Sequence, residues 1–146
     1  MTSLSTHIEI CLVTLLFMII ARASWHKFTD FYEAVGFAQD YDVVPAAWTP
    51  LLVRALAIVE ASTALALIVP ASRAWGALIA GTFFFVYLLL MVHALGHGKS
   101  TINCGCGGAP QPVSQMTLLR NITLIAMAGV IAVAPPGTIE SGGIVI

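Results

Sequence analysis

Four long apolar segments, separated by short polar stretches, constrain this chain more than any other feature of its sequence. Of its 146 residues, 59% are hydrophobic and only 9% are charged, whereas an ordinary soluble domain has roughly 25% charged residues. A helix of about 20 apolar residues crosses the hydrocarbon core of a bilayer. We therefore predict an all-α integral membrane protein, a four-helix bundle that forms a single domain over residues 1–146.

Prolines and capping residues indicate where the spans begin and end. Thr49 is expected to cap the second span, with Pro50 in its first turn, and Ser114 to cap the fourth. The stretch before the first span, MTSLSTHIE, has no Lys or Arg, unlike the start of a signal peptide, so we expect this span to be retained. The predicted spans are about 8–23, 49–69, 73–96 and 115–134, and the loop that contains the cysteines is 97–113.

The loop over residues 24–48 is too polar to cross the bilayer but is rich in aromatic residues. Its apolar residues recur at helical spacing, which predicts an interfacial helix lying over one mouth of the bundle. An ordinary aromatic belt anchored by Trp25 and Trp48 explains the same composition. The residues at helical spacing are Phe28, Phe31, Tyr32 and Val35.

With four spans, the aromatic loop and the cysteine loop emerge at one end of the bundle, and both termini emerge at the other. Most basic residues lie at or near the cysteine end, so the positive-inside rule alone places the cysteines in the cytoplasm. We discount that count, because Arg22, Arg54 and Arg120 fall within helix ends, where they can serve a site. The formal net charge of -1 offers no basic surface for nucleic acid.

Cys104 and Cys106 are separated by one glycine, which brings them within reach of a small, strained and easily reduced disulfide ring. A thiolate is the reactive form of cysteine, and nearby positive charge increases its population. Arg22, Arg54 and Arg120 are all candidates to surround this loop. The alternative interpretation is a tight glycine turn with two incidental cysteines.

A metal site is a second alternative for the same region. His93 and His97 lie four residues apart on one helix face, and with Cys104 and Cys106 they make a set of two histidines and two cysteines. The spacing is not a familiar zinc pattern, although a soft ion such as Cu(I) tolerates it better. The third cysteine, Cys11, lies in the first span and is expected to be a packing residue.

Glu60 lies near the middle of the second span, where an ionised carboxylate is costly unless it is paired. Arg54, Arg22 and Arg120 are its candidate partners. The residue either handles protons or is a neutral, hydrogen-bonded part of the bundle. An aromatic run in the third span suits either a quinone pocket or simple packing, and it comprises Phe83, Phe84, Phe85 and Tyr87.

Several motifs together resemble the MauE family of methylamine-utilisation proteins, within the broader DoxX-like group of four-helix membrane proteins. They are Arg22 with the following WHKFTDF, YDVVP, Glu60, INCGCGG and the LLRN that ends at Asn121. The resemblance covers about residues 20–123. One departure is Gly107, where the family commonly has an aromatic residue after the second cysteine.

The resemblance implies a bacterial inner-membrane protein that supports maturation of a periplasmic enzyme by making, reducing or rearranging its disulfides. It favours a periplasmic cysteine loop, and its DoxX-like relatives suggest a membrane quinone as cofactor. We therefore expect Cys104 and Cys106 to react. The expected supporting residues are Arg22, Arg54, Glu60, His93, Arg120 and Asn121. The alternatives are a non-catalytic scaffold subunit of a membrane complex and, less favoured, a metal-binding protein.

Overall fold

The computed structural model of the chain describes residues 2–104 and 111–134. Four of its helices are long and apolar enough to cross a membrane. The prediction of an all-α membrane bundle is confirmed. The helices are α1 (Thr2–Thr29), α2 (Phe31–Asp40), α3 (Thr49–Ile68), α4 (Arg73–Gly96) and α5 (Gln115–Val133), with a 3-10 turn at Pro70–Ser72 before α4.

The first long helix differs from its predicted span, because α1 continues to Thr29 instead of ending near residue 23. Lys27, which suggested a loop, is only 4% exposed. Its side chain turns back along the helix, and Nζ lies 3.4 Å from the carbonyl oxygen of Ala23. The polar residues at this end of α1 are therefore part of the bundle.

The bundle core forms where small residues allow the helices to approach. α1 packs mainly on α3, and α4 packs mainly on α5. At the end that carries the termini, a Cβ atom on Gly76 would lie 2.9 Å from the backbone nitrogen of Leu67, so glycine is needed for the close crossing of α3 and α4. An ion pair between Arg73 and Glu9, 3.4 Å apart, joins α4 to α1 at the same end.

One of the two predicted helix caps is right and one is wrong. Ser114 caps α5, because its hydroxyl accepts from Thr117 N–H at 3.4 Å while Ser114 N–H donates to the Thr117 hydroxyl at 2.9 Å. Thr49 does not cap α3. The capping position belongs to Trp48, and the Thr49 hydroxyl donates to the carbonyl oxygen of Pro45 at 3.3 Å.

The helix expected between the first two spans is α2. Its buried face, Ala34 and Val35, packs with Val53 of α3. Tyr32, on the other side of α2, is 88% exposed, and Trp25 and Trp48 are also exposed. These exposed aromatic side chains suit the membrane–water interface.

Candidate functional site

The cysteine loop is closed at its base by a short antiparallel pairing. Cys104 N–H donates to the carbonyl oxygen of Gln111 at 2.9 Å, and Val113 N–H donates to that of Ile102 at 2.9 Å. Cys104 therefore lies where the loop leaves the bundle. Cys106, the other predicted reactive residue, lies outside the described residues.

Cys104 is 7% exposed and packs in a cluster with Tyr41, Met91, Ala94 and Val113. The Tyr41 hydroxyl donates to the carbonyl oxygen of Cys104 at 3.1 Å, which ties the connection between α2 and α3 to the cysteine loop. The two loops thus meet at one end of the bundle, as the topology requires. Their contact covers Cys104 and holds its backbone.

Arg120 is the arginine that reaches the cysteine. Its Nη2 atom lies 3.8 Å from Cys104 Sγ, and Nη1 donates to Gln111 Oε1 at 3.0 Å. The guanidinium therefore bridges the two sides of the loop base. Its Nε–H is buried and has no hydrogen-bond partner among the described residues.

The other two predicted arginines lie elsewhere. Arg54 is exposed, and its guanidinium carbon stacks 4.8 Å from the centre of the Phe31 ring on α2. Arg22 is exposed on α1. Within the described part of the chain, neither forms a hydrogen bond or an ion pair with Cys104 or Glu60. Of the three predicted arginines, the structure therefore brings only Arg120 to Cys104.

The two histidines lie at the exposed end of α4. Their ring centres are 4.2 Å apart, and His97 Nδ1–H donates to the carbonyl oxygen of His93 at 2.9 Å. Among the residues that the structure describes, no three His, Cys, Asp or Glu side chains come together in a way that could hold a metal ion. The proposed set of four ligands includes Cys106, which falls in the part that is not described.

Asn121 follows Arg120 on α5 and is completely buried. Its Nδ2 lies 3.8 Å from Met91 Sδ, while its Oδ1 has no partner within residues 7–104 and 111–134. A buried amide oxygen without a partner is costly and is usually met by ordered water. Asn121 is linked to the cysteine site through Met91, which packs in the same cluster as Cys104.

Glu60 is paired with Lys27, not with any of the three arginines. The Lys27 ammonium lies 3.1 and 2.9 Å from the two carboxylate oxygens of Glu60. The Tyr87 hydroxyl donates to Glu60 Oε1 at 2.5 Å, and the ammonium lies 5.7 Å from the centre of the Tyr87 ring. These three side chains, which we call the charge cluster, join α1, α3 and α4 inside the bundle.

Sequence reasoning missed Lys27 and Tyr41, and it named Tyr87 only as part of the aromatic run and not as a partner of Glu60. A signal for Lys27 exists, because Ile20, Ala23, Ser24 and Lys27 follow the spacing of one buried helix face, and all four are buried. Continuing that pattern past the polar residues would have extended α1. Tyr41 and Tyr87 bond to residues that are distant along the chain, so no local pattern in the sequence indicates these contacts.

The predicted aromatic run does not form one pocket. Phe84 is buried in the bundle core, Tyr87 belongs to the charge cluster, and Phe85 lines an open apolar groove between α4 and α5 with a volume of about 300 Å³. The only side-chain hydroxyl in the groove lining, that of Thr82, donates to Leu78 O. Quinone carbonyls need hydrogen-bond donors, so the side chains of this groove do not fit a quinone head group.

Cys11 is exposed on the outer surface of α1. The expectation that it packs inside the bundle is therefore wrong. Its exposed surface faces the lipid-accessible side of a predicted span, where a small, weakly polar thiol is tolerated.

Comparison with known proteins identifies the family. The family model described as Methylamine utilisation protein MauE matches residues 4–134. The Methylamine utilization protein MauE of Paracoccus denitrificans is 30% identical over 131 residues, which cover 88% of this chain and 69% of that protein. The protein of the same name from Methylophilus methylotrophus is 25% identical over 127 residues, covering 87% and 67%. No solved structure matches the chain. Because the family match includes the four long helices and the cysteine loop, this chain belongs to the MauE family.

Proposed function

We propose that this protein is a thiol–disulfide redox protein of the bacterial inner membrane, which supports disulfide formation or rearrangement in a periplasmic partner used in methylamine utilisation. The observation that carries the proposal is the position of Arg120 Nη2, 3.8 Å from Cys104 Sγ. A guanidinium next to a sulfur atom stabilises the thiolate, which is the form that attacks and leaves in disulfide exchange. The family resemblance supplies the setting of the reaction.

The proposed reaction is exchange between a partner thiol and a disulfide of Cys104 with Cys106. The partner thiolate attacks one sulfur of the pair and forms a mixed disulfide, while the other sulfur leaves as a thiolate. A second thiol of the partner, or the released cysteine, then resolves the mixed disulfide. The burial of Cys104 hinders direct attack on its sulfur. Its contact with Arg120 suits a sulfur that leaves as a thiolate.

The cysteine end of the bundle is placed in the periplasm in this proposal. Two of the basic residues at this end, Lys27 and Arg120, contact Glu60 and Cys104, which weakens the charge argument for the cytoplasm. Exposed acidic residues lie at the same end. A membrane-impermeant thiol reagent, applied to intact cells after mild reduction, should label the loop cysteines in a Cys11→Ser background. Labelling only after the cells are permeabilised would contradict this orientation. The acidic residues are Asp30, Glu33, Asp40 and Asp42.

Re-oxidation of the pair needs an electron acceptor. A membrane quinone remains the proposed acceptor on the resemblance to DoxX-like proteins alone, since the groove between α4 and α5 does not fit its head group. Oxidation of the loop dithiol by a soluble quinone analogue in purified protein would support that acceptor. If the dithiol is intact and the analogue does not oxidise it, a quinone is not the electron acceptor.

The direct test of the proposed function replaces the cysteines one at a time. Cys104→Ser and Cys106→Ser should each abolish maturation of the partner enzyme in cells, whereas Cys11→Ser should leave it intact, because Cys11 lies on the outer surface of α1. The yield of correctly disulfide-bonded partner is the measurement. Normal maturation in both loop variants would refute the proposal.

Trapping separates exchange chemistry from a scaffold role. A variant that keeps only one loop cysteine cannot complete exchange, so it should accumulate a covalent adduct with its partner that a reducing agent releases. The Cys104→Ser/Cys106→Ser double variant is the control. A scaffold subunit would form no reducible adduct in either single variant.

A further inference from the structure

In the charge cluster, Lys27 and Glu60 are buried and Tyr87 is partly buried, and the exchange reaction described above uses none of the three. Glu60 is 2% exposed, and its carboxylate receives bonds from both other members of the cluster. The Lys27 ammonium is also satisfied, by the carboxylate and by the carbonyl oxygen of Ala23. Three groups that can hold or release a proton are therefore linked in one hydrogen-bonded chain across three helices.

Stability alone does not account for such a cluster. Replacing a buried ion pair by neutral side chains of similar volume is often neutral or even stabilising, because the charges lose their hydration when they are buried. An ionisable side chain inside a membrane span therefore indicates a functional site. The cluster needs a role that depends on its charge.

Tyr87 connects the cluster to the cysteine site. It packs against the bundle core that contains Phe84, and also against the cluster of Met91, Ala94 and Cys104. Met91 lies one helical turn further along α4, and it also contacts Asn121. The Tyr87 hydroxyl thus lies on Glu60, while its ring borders the packing around Cys104.

We propose that Lys27, Glu60 and Tyr87 form an intramembrane proton-exchange site whose protonation is linked to formation of the Cys104 thiolate. This inference rests on the proposed function. A partner thiol loses its proton and attacks the sulfur of Cys106, which forms a new S–S bond. The Cys104–Cys106 bond breaks, and the electron pair of that bond remains on Cys104 as a thiolate. Glu60 then takes up one proton, so the charge gained at the sulfur is balanced within the bundle.

Linkage of this kind is reciprocal. Protonation of Glu60 makes the cluster more positive and favours the thiolate, and the thiolate favours protonation of Glu60. Within residues 7–104 and 111–134, the charged and titratable groups that face Cys104 and Glu60 come from α1, α4, α5 and the connections beside them. Around Cys104 they are Arg120 of α5, Tyr41 before α3, and Tyr87 of α4; around Glu60 they are Lys27 of α1 and Tyr87, with His26 and its partner Asp30 next to Lys27.

The test measures the pH dependence of Cys104 alkylation by iodoacetamide in purified full-length protein, in a Cys11→Ser/Cys106→Ser background. Glu60→Gln leaves the Lys27 ammonium without its counter-charge, so the midpoint of the profile should move to lower pH. Lys27→Met leaves the carboxylate without its partner, so the midpoint should move to higher pH. At an effective dielectric constant of about 20, one unbalanced charge at about 12 Å from the sulfur changes the alkylation rate below the midpoint by about tenfold.

The opposite signs distinguish proton linkage from a structural role, because loss of packing would shift both variants in the same direction. The Lys27→Met/Glu60→Gln double variant removes both charges and should return the midpoint to that of the parent. The matched control is Ser24→Ala, which removes another buried polar contact between α1 and α3, at Ala57 O, without changing charge. Equal midpoints in all variants, or shifts of the same sign, would overturn the proposal.

Tyr87→Phe keeps the test decisive if a single charge variant does not fold. This substitution retains the ring and both charges but removes the hydroxyl that stabilises the Glu60 carboxylate. Glu60 then accepts a proton more readily, so the midpoint should move to lower pH by less than in Glu60→Gln. An unchanged midpoint in a folded Tyr87→Phe protein would also refute the linkage.

The experiment needs no partner protein, so its outcome is separate from that of the maturation test. If both loop-cysteine variants mature the partner normally while the charge variants still shift the Cys104 profile in opposite directions, the proposed function fails and the linkage stands. If maturation depends on the cysteines but the profiles coincide, only the linkage fails.

Discussion

The charge cluster and the cysteine site differ in how completely their hydrogen bonds are satisfied. In the charge cluster, the Glu60 carboxylate and the Lys27 ammonium each have several partners within 3.4 Å. At the cysteine site, Arg120 Nε and Asn121 Oδ1 are buried without partners among the described residues. The Lys27–Glu60 pair therefore needs no further partner, whereas the cysteine site has a donor and an acceptor that a further group can bind.

The physical reason lies in their surroundings. A charge deep in a membrane bundle is tolerated only when protein groups replace its hydration, so the hydrogen bonds of the cluster must stay satisfied in each protonation state. The cysteine site lies at the end of the bundle, where water or a reacting thiolate can approach. Unused donors such as Arg120 Nε–H can then stabilise negative charge that develops at sulfur.

The largest expected effect follows from breaking the ion pair of the charge cluster. Lys27→Met should lower the free energy of unfolding by about 3–5 kcal/mol, because the Glu60 carboxylate remains buried without its counter-charge. Thermal unfolding in detergent, followed by tryptophan fluorescence, measures the change. The Lys27→Met/Glu60→Gln protein should be close to the parent, and a double variant as unstable as the single one would show that the pair is not the cause.

The next largest effect is expected at the cysteine site. Arg120→Gln should slow alkylation of Cys104 at neutral pH by about tenfold, because the nearest positive charge to Sγ is lost while water screens part of its effect. Arg54→Gln is the matched control, since that guanidinium stacks on Phe31 instead. Equal slowing in the two variants would mean that general charge, and not contact, controls the thiol.

A smaller effect is expected where the two loops meet. Tyr41→Phe removes the hydroxyl that donates to the carbonyl oxygen of Cys104, at a cost of about 1 kcal/mol. Amide hydrogen exchange at the loop base should become about fivefold faster. Tyr32→Phe, at an exposed position on α2, should leave exchange unchanged. Unaltered hydrogen exchange in Tyr41→Phe would show that the Tyr41 hydroxyl does not stabilise the base of the cysteine loop.

The smallest effect belongs to a neutral contact beside the charge cluster. Ser24→Ala removes the 2.8 Å hydrogen bond from Ser24 Oγ to Ala57 O between α1 and α3. Hydrogen bonds between membrane helices contribute about 0.6 kcal/mol on average, so the melting temperature should change little. A loss as large as that of Lys27→Met would show that polar contacts in general, and not charge, govern this helix pair.

The architecture could be predicted because it depends on local properties of the chain. Apolar runs bounded by Pro50, Pro70 and Ser114 correspond to long helices, and the motifs around Cys104 identified the family that the comparisons confirm. The end of α1 was predicted wrongly because Lys27 looks like a residue that leaves the membrane. Its burial depends on Glu60, which lies 33 positions away along the chain.

The candidate site could be predicted only in part for the same reason. Arg120, Arg54 and Arg22 have similar positions near helix ends, and nothing local distinguishes the one that contacts Cys104. That contact depends on the cap at Ser114, which sets where α5 begins, and on the pairing of Gln111 with Cys104 across the loop base. Such relations belong to the fold and not to any single segment.

Lys27 and Glu60 lie 33 positions apart along the chain, and this separation affects how the protein inserts into the membrane. α1 is synthesised before α3, so the ammonium of Lys27 has no partner while the first helix enters the membrane. Lys27 lies near the end of α1, from which a flexible lysine can extend to the aqueous boundary. We expect the Lys27 side chain to stay at this boundary and to turn into the bundle only when α3, which carries Glu60, has inserted. Packing of α1 on α3 is then a late step in biogenesis.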